Sequence, residues 1–113
     1  MDSVLRLRIG KDRELAVGPG KIALLEAIDE TGSISAAGRK LRMSYRRAWL
    51  LVDAMNRTFD APVLTTSTGG KEGGGTCLTP LGVEVVKRYR RAESLAMAAA
   101  KKEIGALRKL MRT

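Results

Sequence analysis

The sequence predicts a mainly α-helical fold with a small β component, a winged helix-turn-helix that continues into a long C-terminal helix. Three observations predict it: two helical segments joined by a tight turn, a glycine-rich hairpin after them, and an apolar stripe at helical spacing over residues 81–111. The chain has 113 residues, the size of one domain. Within it we expect residues 1–80 to form the winged helix-turn-helix and residues 81–113 to form a dimerisation helix of the same domain.

The first elements precede the helix pair. Leu5, Leu7 and Ile9 alternate with arginines, a pattern typical of a half-buried strand, and residues 14–17 are expected to return as a second short strand. The Gly-Pro-Gly at residues 18–20 then breaks the chain. A helix is expected over residues 21–31, packed across the next two helices by an apolar face that contains Ile22, Leu25 and Ile28.

The helix pair follows at residues 34–58. Ser33 is suited to accept a backbone N–H at the start of a helix over residues 34–41. Gly38 in this helix costs helix propensity, so we expect it to allow a close approach of a neighbouring helix. Residues 42–44 form the turn, and Ser44 caps a second helix over residues 45–58.

The second helix of the pair has an apolar side and a charged side. The apolar residues, expected to be buried, are Trp49, Val52, Met55 and Phe59. The opposite side carries Arg46, Arg47, Asp53 and Arg57. A solvated face would account for these arginines, but two of them stand at the start of the helix, where helix-turn-helix proteins contact bases and phosphates. We therefore expect duplex DNA as a partner, with candidate contacts from Ser33, Ser35, Ser44, Tyr45, Arg46 and Arg47.

A hairpin is predicted after the helix pair. Residues 63–68 are rich in β-branched side chains, and residues 76–79 are expected to be the partner strand. The glycine-rich segment between them resembles the wing of a winged helix, which touches DNA beside the second helix; its candidate contacts are Thr68, Gly70 and Lys71. One alternative is a merely flexible hairpin. A phosphate-cradling loop is disfavoured because the GxxxxGK[ST] spacing is missing.

The last element is a long helix. Thr79 is suited to cap it, and Pro80 is tolerated in its first turn. Its apolar stripe continues past what a small core needs, over about 45 Å at the usual rise per residue. We expect the same helix of a second chain to cover it, with interface residues Val85, Tyr89, Ala92, Ala96, Ala100, Ile104 and Leu107. The alternatives are a helix folded back on its own domain and a helix that binds a different regulator. The basic run at residues 87–91 spreads around the helix and is expected to be a solvated face.

Composition favours the same partner and excludes other functions. The net charge of +9 and the pI near 10.3 favour a polyanion. No apolar run could span a bilayer, and the N-terminus does not resemble a secretory signal, so we expect a cytoplasmic protein without a membrane partner. Histidine is absent and Cys77 is the one cysteine, which removes the usual general bases, nucleophiles and metal ligands. The sequence therefore predicts no enzyme, no metal and no cofactor.

Two segments carry a family resemblance. GPGKIALLEAIDETGSISAAGRKLRMSYRRAW (residues 18–49) and TTSTGGKEGGGTCLTPLG (residues 65–82) resemble the N-terminal DNA-binding domain of the molybdate-dependent transcriptional regulators of the ModE family. The chain is similar, more distantly, to the winged helices of LysR-type regulators. The resemblance implies a dimeric transcription factor, with molybdenum-related genes as candidate targets, in which residues 44–47 approach DNA beside the wing at residues 69–75. ModE proteins continue into a molybdate-binding region, and we do not expect any residue up to Thr113 to form that region. A separate molybdate-sensing partner is the alternative source of that function.

Overall fold

The computed structural model describes residues 5–11, 16–67 and 75–112. Its elements follow the order α1 (Pro19–Thr31), α2 (Ile34–Lys40), α3 (Tyr45–Thr58), β1 (Leu64–Ser67), β2 (Gly75–Leu78) and α4 (Pro80–Lys109). This order confirms the predicted fold class, with a helix pair, a hairpin and a long final helix. The helices begin and end within two residues of the predicted positions.

Helix α1 lies at the centre of the core and contacts α2, α3, α4 and β2. Its fully buried side chains include Ile22, Leu25 and Ile28, the three residues predicted to share a face. The helix begins at Pro19, two residues before the predicted start, because proline is favoured in a first turn. It ends at Gly32, whose left-handed φ of 72° suits glycine and whose N–H donates to the Ile28 carbonyl.

The N-terminal segment forms less β structure than predicted. Within the described residues, an isolated antiparallel bridge joins Ile9 to Val17, with reciprocal backbone hydrogen bonds of 2.8 and 2.7 Å. The expected strand over residues 5–9 is therefore wrong as a regular element. Residues 14 and 15 of the second expected strand lie outside the described part of the chain.

The helix pair is built as predicted at both N-termini. The Ser33 hydroxyl accepts a hydrogen bond from the Ala36 N–H at 3.0 Å, and the Ser44 hydroxyl accepts one from the Arg47 N–H at 3.1 Å. These caps satisfy backbone donors that have no partner within the helix. Gly38 is buried, and a Cβ placed on it would lie 3.4 Å from the Ala48 Cβ. The predicted reason for this glycine, close approach of the two helices, is confirmed.

The buried side of α3 differs from the prediction at Trp49 and, in degree, at Phe59, which is partly buried against the core. Ala48, Val52 and Met55 form the buried side, whereas Trp49 is 41% exposed. The expectation that Trp49 is a core residue is therefore wrong. Ala48 lies one turn before Val52 and packs α3 against Gly38 of α2. Trp49, the next residue, is therefore turned away from the centre of this contact.

The hairpin is a two-stranded antiparallel sheet that pairs Leu64 with Leu78 and Ser67 with Gly75. β1 lies within the predicted range of residues 63–68 and begins one residue later, whereas β2 begins and ends one residue before the predicted range of 76–79. Val63, buried before β1, donates its N–H to the Asn56 side chain at 2.9 Å, where the chain leaves α3. Thr79 follows β2 and caps α4. The loop between the strands lies outside the described residues.

Helix α4 is packed on the domain only along its first half. Leu81, Val85 and Val86 pack against the core, and Tyr89 is buried within its own chain. Its hydroxyl donates to the Leu7 carbonyl at 2.6 Å. Tyr89 therefore faces the core and is not available to the dimer interface to which the sequence assigned it. No described residue after Glu93 is buried, so the second half of α4 leaves the core, and the molecule measures 56 Å along its longest axis.

Candidate nucleic-acid interface

The N-terminus of α3 presents three exposed side chains, Tyr45, Arg46 and Arg47. Ser44 fixes this end of the helix through its cap, so its own hydroxyl already accepts the Arg47 N–H. In the described parts of the chain, no carboxylate lies within ion-pair distance of Arg46 or Arg47. Two cations without a protein counter-ion at a helix N-terminus are unfavourable next to the helix dipole. An anionic partner would compensate them.

The turn between α2 and α3 is closed by a left-handed residue. Arg42 has φ of 59°, and its N–H donates to the Arg39 carbonyl at 3.1 Å while the Met43 N–H donates to the Gly38 carbonyl at 2.9 Å. These two bonds form a Schellman motif, in which glycine is the usual left-handed residue. The use of arginine here places another exposed cation directly before α3.

The two serines of α2 have different functions. Ser33 holds the start of the helix, and its carbonyl also accepts from the Thr31 hydroxyl at 3.1 Å. Ser35 accepts a hydrogen bond from the Arg39 guanidinium at 2.8 Å, one turn later. Arg39 and Arg42 are exposed cations that the sequence analysis did not select. The four-residue spacing of Ser35 and Arg39 was the signal that could have found the first of them.

An apolar patch lies beside the arginines of α3. Tyr45 and Trp49 make an edge-to-face contact with ring centroids 6.2 Å apart and planes at 78°. Leu50, next to Trp49, is 59% exposed. The carboxylate on this side of the helix, Asp53, is paired with Arg57 at 3.2 Å. Sequence reasoning missed Leu50 because it considered the outward side of α3 only as a charged face.

The base of the wing is fixed at the corner between α1 and α2. The Thr76 N–H of β2 donates to the Gly32 carbonyl at 2.9 Å, at the corner between α1 and α2. A Cβ on Gly75 would lie 3.3 Å from the same carbonyl oxygen. The hairpin therefore leaves the domain from a defined position. The wing candidates Thr68, Gly70 and Lys71 lie outside the described residues.

Positive charge also gathers where the N-terminal segment meets α1. Burial lowers the pKa of Lys21, and the positive charges of Arg8 and Arg57 lower it further. The Lys21 ammonium donates to the Ala16 carbonyl at 2.8 Å. Arg57, on the charged side of α3, is thus close enough to Lys21 for its charge to act on that ammonium.

Two features that would indicate another kind of site are missing from the described residues. No cluster of three or more potential metal ligands occurs among them, and no helix there is long and apolar enough to cross a membrane. A groove of about 610 Å³ lies between Ile9, Phe59 and the first half of α4. Of the two carboxylates that line it, Asp60 and Glu84, Glu84 accepts from Arg88 at 2.7 Å, an exposed pair within one helix.

Solved structures include a similar fold. The DNA-binding domain of CbnR, in a crystal structure of its complex with DNA, superposes with a TM-score of 0.58 at 20% sequence identity, covering 78% of this chain and 95% of that one. The similarity supports the winged helix-turn-helix fold.

Relatives of known name match the same region. Molybdenum-pterin-binding protein MopB of Rhodobacter capsulatus is 49% identical over 78 residues, which cover 69% of this chain and 29% of MopB. The DNA-binding transcriptional dual regulator ModE of Escherichia coli K12 is 33% identical over 89 residues, covering 79% of this chain and 34% of ModE. The chain thus spans about a third of the length of these relatives. These matches confirm the resemblance to the ModE regulators.

A family model provides the assignment. The model of the bacterial regulatory helix-turn-helix proteins of the lysR family matches residues 20–83, from α1 through the first turn of α4. That range includes the capped helix pair, the left-handed turn and the wing. The chain therefore belongs to the bacterial regulatory helix-turn-helix proteins of the lysR family.

Proposed function

We propose that this protein is a transcriptional regulator that binds double-stranded DNA sequence-specifically, as a homodimer, through the N-terminus of α3. The observation that carries the proposal is the exposed pair Arg46 and Arg47 at a capped helix N-terminus, without a carboxylate partner among the described residues. In a helix-turn-helix this position enters the major groove. The net charge of +9 supplies the non-specific part of the affinity.

The regulated genes are proposed from the relatives. Two relatives carry molybdenum in their names. One is the molybdenum-pterin-binding protein MopB, and the other is the molybdenum transport protein ModE of Azotobacter vinelandii, which is 39% identical to this chain over 88 residues. We therefore propose molybdenum-related genes as targets and the cytoplasm as the compartment. The chain spans about a third of these relatives, and we propose a separate partner as the source of a molybdate-sensing function.

The dimer interface is proposed on the second half of α4. We call Ala96, Ala100, Ile104 and Leu107 the distal stripe; these residues continue the spacing of Val85 and Ala92 beyond the point where the core ends. Small residues at successive turns allow two helices to approach closely, and a two-fold dimer would place two α3 helices on an inverted repeat. The proposed organisation is thus residues 1–80 for DNA binding and residues 81–113 for assembly.

Selection of bound sequences from a random duplex pool tests the DNA-binding function. We expect an inverted repeat with half-sites about one helical turn apart, or a multiple of it. Arg46→Ala and Arg47→Ala should each lower affinity for this operator by about tenfold or more, and lose about one unit of salt slope if the contact is to phosphate. Arg91→Ala, which removes an exposed arginine of α4, is the matched control. Equal operator affinity in all three variants and the wild type would reject the assignment of α3.

Sedimentation equilibrium tests the assembly. Ile104→Glu places a charge in the distal stripe and should convert the dimer into a monomer, whereas Lys102→Glu changes charge outside the stripe and should leave it a dimer. A monomeric wild-type protein would contradict the homodimer and favour the second candidate function. In that case the distal stripe binds another protein, such as a separate oxyanion-binding partner.

A further inference from the structure

The α3 patch, defined as Tyr45, Trp49 and Leu50, is an apolar surface on the helix assigned to the major groove. The exposed fractions are 57% for Tyr45, 41% for Trp49 and 59% for Leu50. None of the three belongs to the buried core. Three neighbouring large apolar side chains that the fold does not bury indicate a contact surface.

Leu50 occupies the outward side of the helix. It lies one turn after Arg46 at the (i, i+4) spacing, which places the two side chains next to each other. It is also two residues after the fully buried Ala48, which turns it away from the core. The neighbouring side chain, Trp49, is positioned by its edge-to-face contact with Tyr45. A leucine is thus presented beside the arginine that would enter the groove first.

We propose that Leu50 contacts the 5-methyl group of thymine in the floor of the major groove, with Trp49 screening that contact from water. The proposal rests on the DNA-binding function proposed above and adds a specificity-determining residue to it. Thymine is the one DNA base that carries a methyl group at the major-groove edge, and apolar side chains recognise it. Arg46 and Arg47 would contact guanine edges or phosphates, so the aliphatic residue supplies discrimination that arginine does not.

Charge around the α3 patch favours DNA over a protein as its occupant. Arg46 and Arg47 lie in the chain between Tyr45 and Trp49 of the patch, Arg42 lies in the turn before α3, and all three arginines are exposed. The carboxylate next to it, Asp53, is neutralised by Arg57 at 3.2 Å. The apolar surface therefore lies within a positive field, which matches a polyanion with methyl groups between its phosphate strands.

Deoxyuridine substitution tests the proposal. The probe is the duplex obtained by random-pool selection, with each thymine replaced singly by deoxyuridine, which keeps the base pair and removes only the methyl group. Wild-type protein should lose affinity about fourfold at one thymine or more in each half-site, the amount expected for one buried methyl group. The Leu50→Ala protein should bind the thymine and deoxyuridine duplexes with equal affinity at those positions. If its overall affinity is weak, both duplexes are measured at lower salt.

Leu95→Ala is the matched control, because Leu95 is 60% exposed but lies on α4, outside both α3 and the distal stripe. The Leu95→Ala protein should lose as much affinity as the wild type when deoxyuridine replaces thymine. Thermal unfolding by circular dichroism verifies that both variants fold. Selection with Leu50→Gln provides a second measurement, since a glutamine should shift the preferred base at that position towards adenine.

Three outcomes would overturn the role of Leu50: an operator without thymine, wild-type binding that is indifferent to every deoxyuridine, or a Leu50→Ala protein as sensitive as the wild type. Each leaves the DNA-binding function intact if Arg46→Ala still weakens operator binding. Absence of any selected operator would reject both proposals together. A patch that contacts protein instead would appear as the second of these outcomes.

Discussion

Gly82 of α4 lies directly against the backbone carbonyl of Val63, so close that a Cβ at position 82 would overlap the carbonyl oxygen. The Thr79 N–H donates to the same carbonyl at 3.0 Å. The Thr79 hydroxyl accepts from the Gly82 N–H at 3.0 Å and donates to the Pro62 carbonyl at 2.7 Å. The start of the long helix is therefore fixed on the start of the wing, which sets the direction in which α4 leaves the domain.

Gly82→Ala should lower the free energy of unfolding by roughly 3 kcal/mol, the upper end of the usual cost of overpacking, because the obstacle is backbone and the helix has to shift. Urea unfolding followed by circular dichroism measures it. Gly105→Ala is the control: it makes the same chemical change in the same helix, where a Cβ meets nothing within 4 Å. It should raise stability by about 0.5–1 kcal/mol through helix propensity. Equal effects at the two glycines would contradict the contact.

The left-handed turn before α3 gives the second prediction. Arg42 has φ of 59°, a conformation that costs a residue with a Cβ about 1–2 kcal/mol. Arg42→Gly and Arg42→Ala both remove the charge, but only glycine removes the strain. We expect the glycine variant to be more stable than the alanine variant by about 1 kcal/mol, partly offset by the entropy of its unfolded chain. An alanine variant as stable as the glycine variant would exclude strain in this turn.

The helix pair could be predicted because the signals that mark it, the N-terminal caps, involve residues close together in the sequence. The caps at Ser33 and Ser44 each join a side chain to a backbone N–H three residues later, and the chain could be divided correctly from them. Gly38 was predicted for the same reason, since a glycine within a helix needs a packing explanation. These are the parts of the candidate site that the structure reproduces.

Periodicity could not choose which residues of α3 face the core. The stripes that begin at Ala48 and at Trp49 both fit helical spacing, and hydrophobicity favours the one with tryptophan. Ala48 is the buried residue because α2 approaches α3 there, through Gly38. The sequence predicted that a helix would approach Gly38, but not which residue of α3 would contact it. Tyr89 was misassigned for a similar reason: its hydroxyl binds Leu7, 82 residues away.

The Tyr89 hydroxyl provides a prediction about pH. Burial, followed by the negative charge of Glu93, raises the pKa of Tyr89 above its ordinary value of 10.0. The folded state therefore holds the phenolic proton more tightly than the unfolded state, so its contribution to stability is complete below pH 10 and is lost as pH rises through the raised pKa. The hydrogen bond to Leu7 needs that proton.

Tyr89→Phe should cost about 1 kcal/mol at pH 7, the usual net value of a hydrogen bond. The difference between wild type and variant should then narrow above pH 10, because only the wild type has a phenol to ionise at this position. Urea unfolding at pH 7, 9, 10 and 11 measures the difference. A constant difference across this range would argue against the buried phenol as its source.

An ion network joins α4 to α1 on the same side of the helix. The Arg90 guanidinium binds both carboxylate oxygens of Glu26, at 2.6 and 3.0 Å, and one oxygen of Glu93 at 2.8 Å. The pKa of Arg90 is raised, first by the hydrogen bonds it donates to Glu26 and also by Glu93, against burial that lowers it. Arg90 belongs to the basic run expected to be a solvated face, and for this residue that expectation is wrong. Glu93 is buried, and Arg90 is its ion-pair partner among the described residues.

Replacing Arg90 should therefore lower the free energy of unfolding more than replacing Glu26, its more exposed partner. Arg90→Met leaves Glu93 as a buried charge and should lower the free energy of unfolding by about 2 kcal/mol, below the 3–5 kcal/mol typical of fully buried pairs because Arg90 is itself 38% exposed. Glu26→Gln, at a side chain 40% exposed, should cost less than about 1 kcal/mol. Arg90→Met combined with Glu93→Met removes both charges, and urea unfolding at pH 7 should show most of the loss recovered. A double variant no more stable than Arg90→Met would mean that the carboxylate of Glu93 does not need its arginine, and that α4 is held on α1 by apolar packing alone.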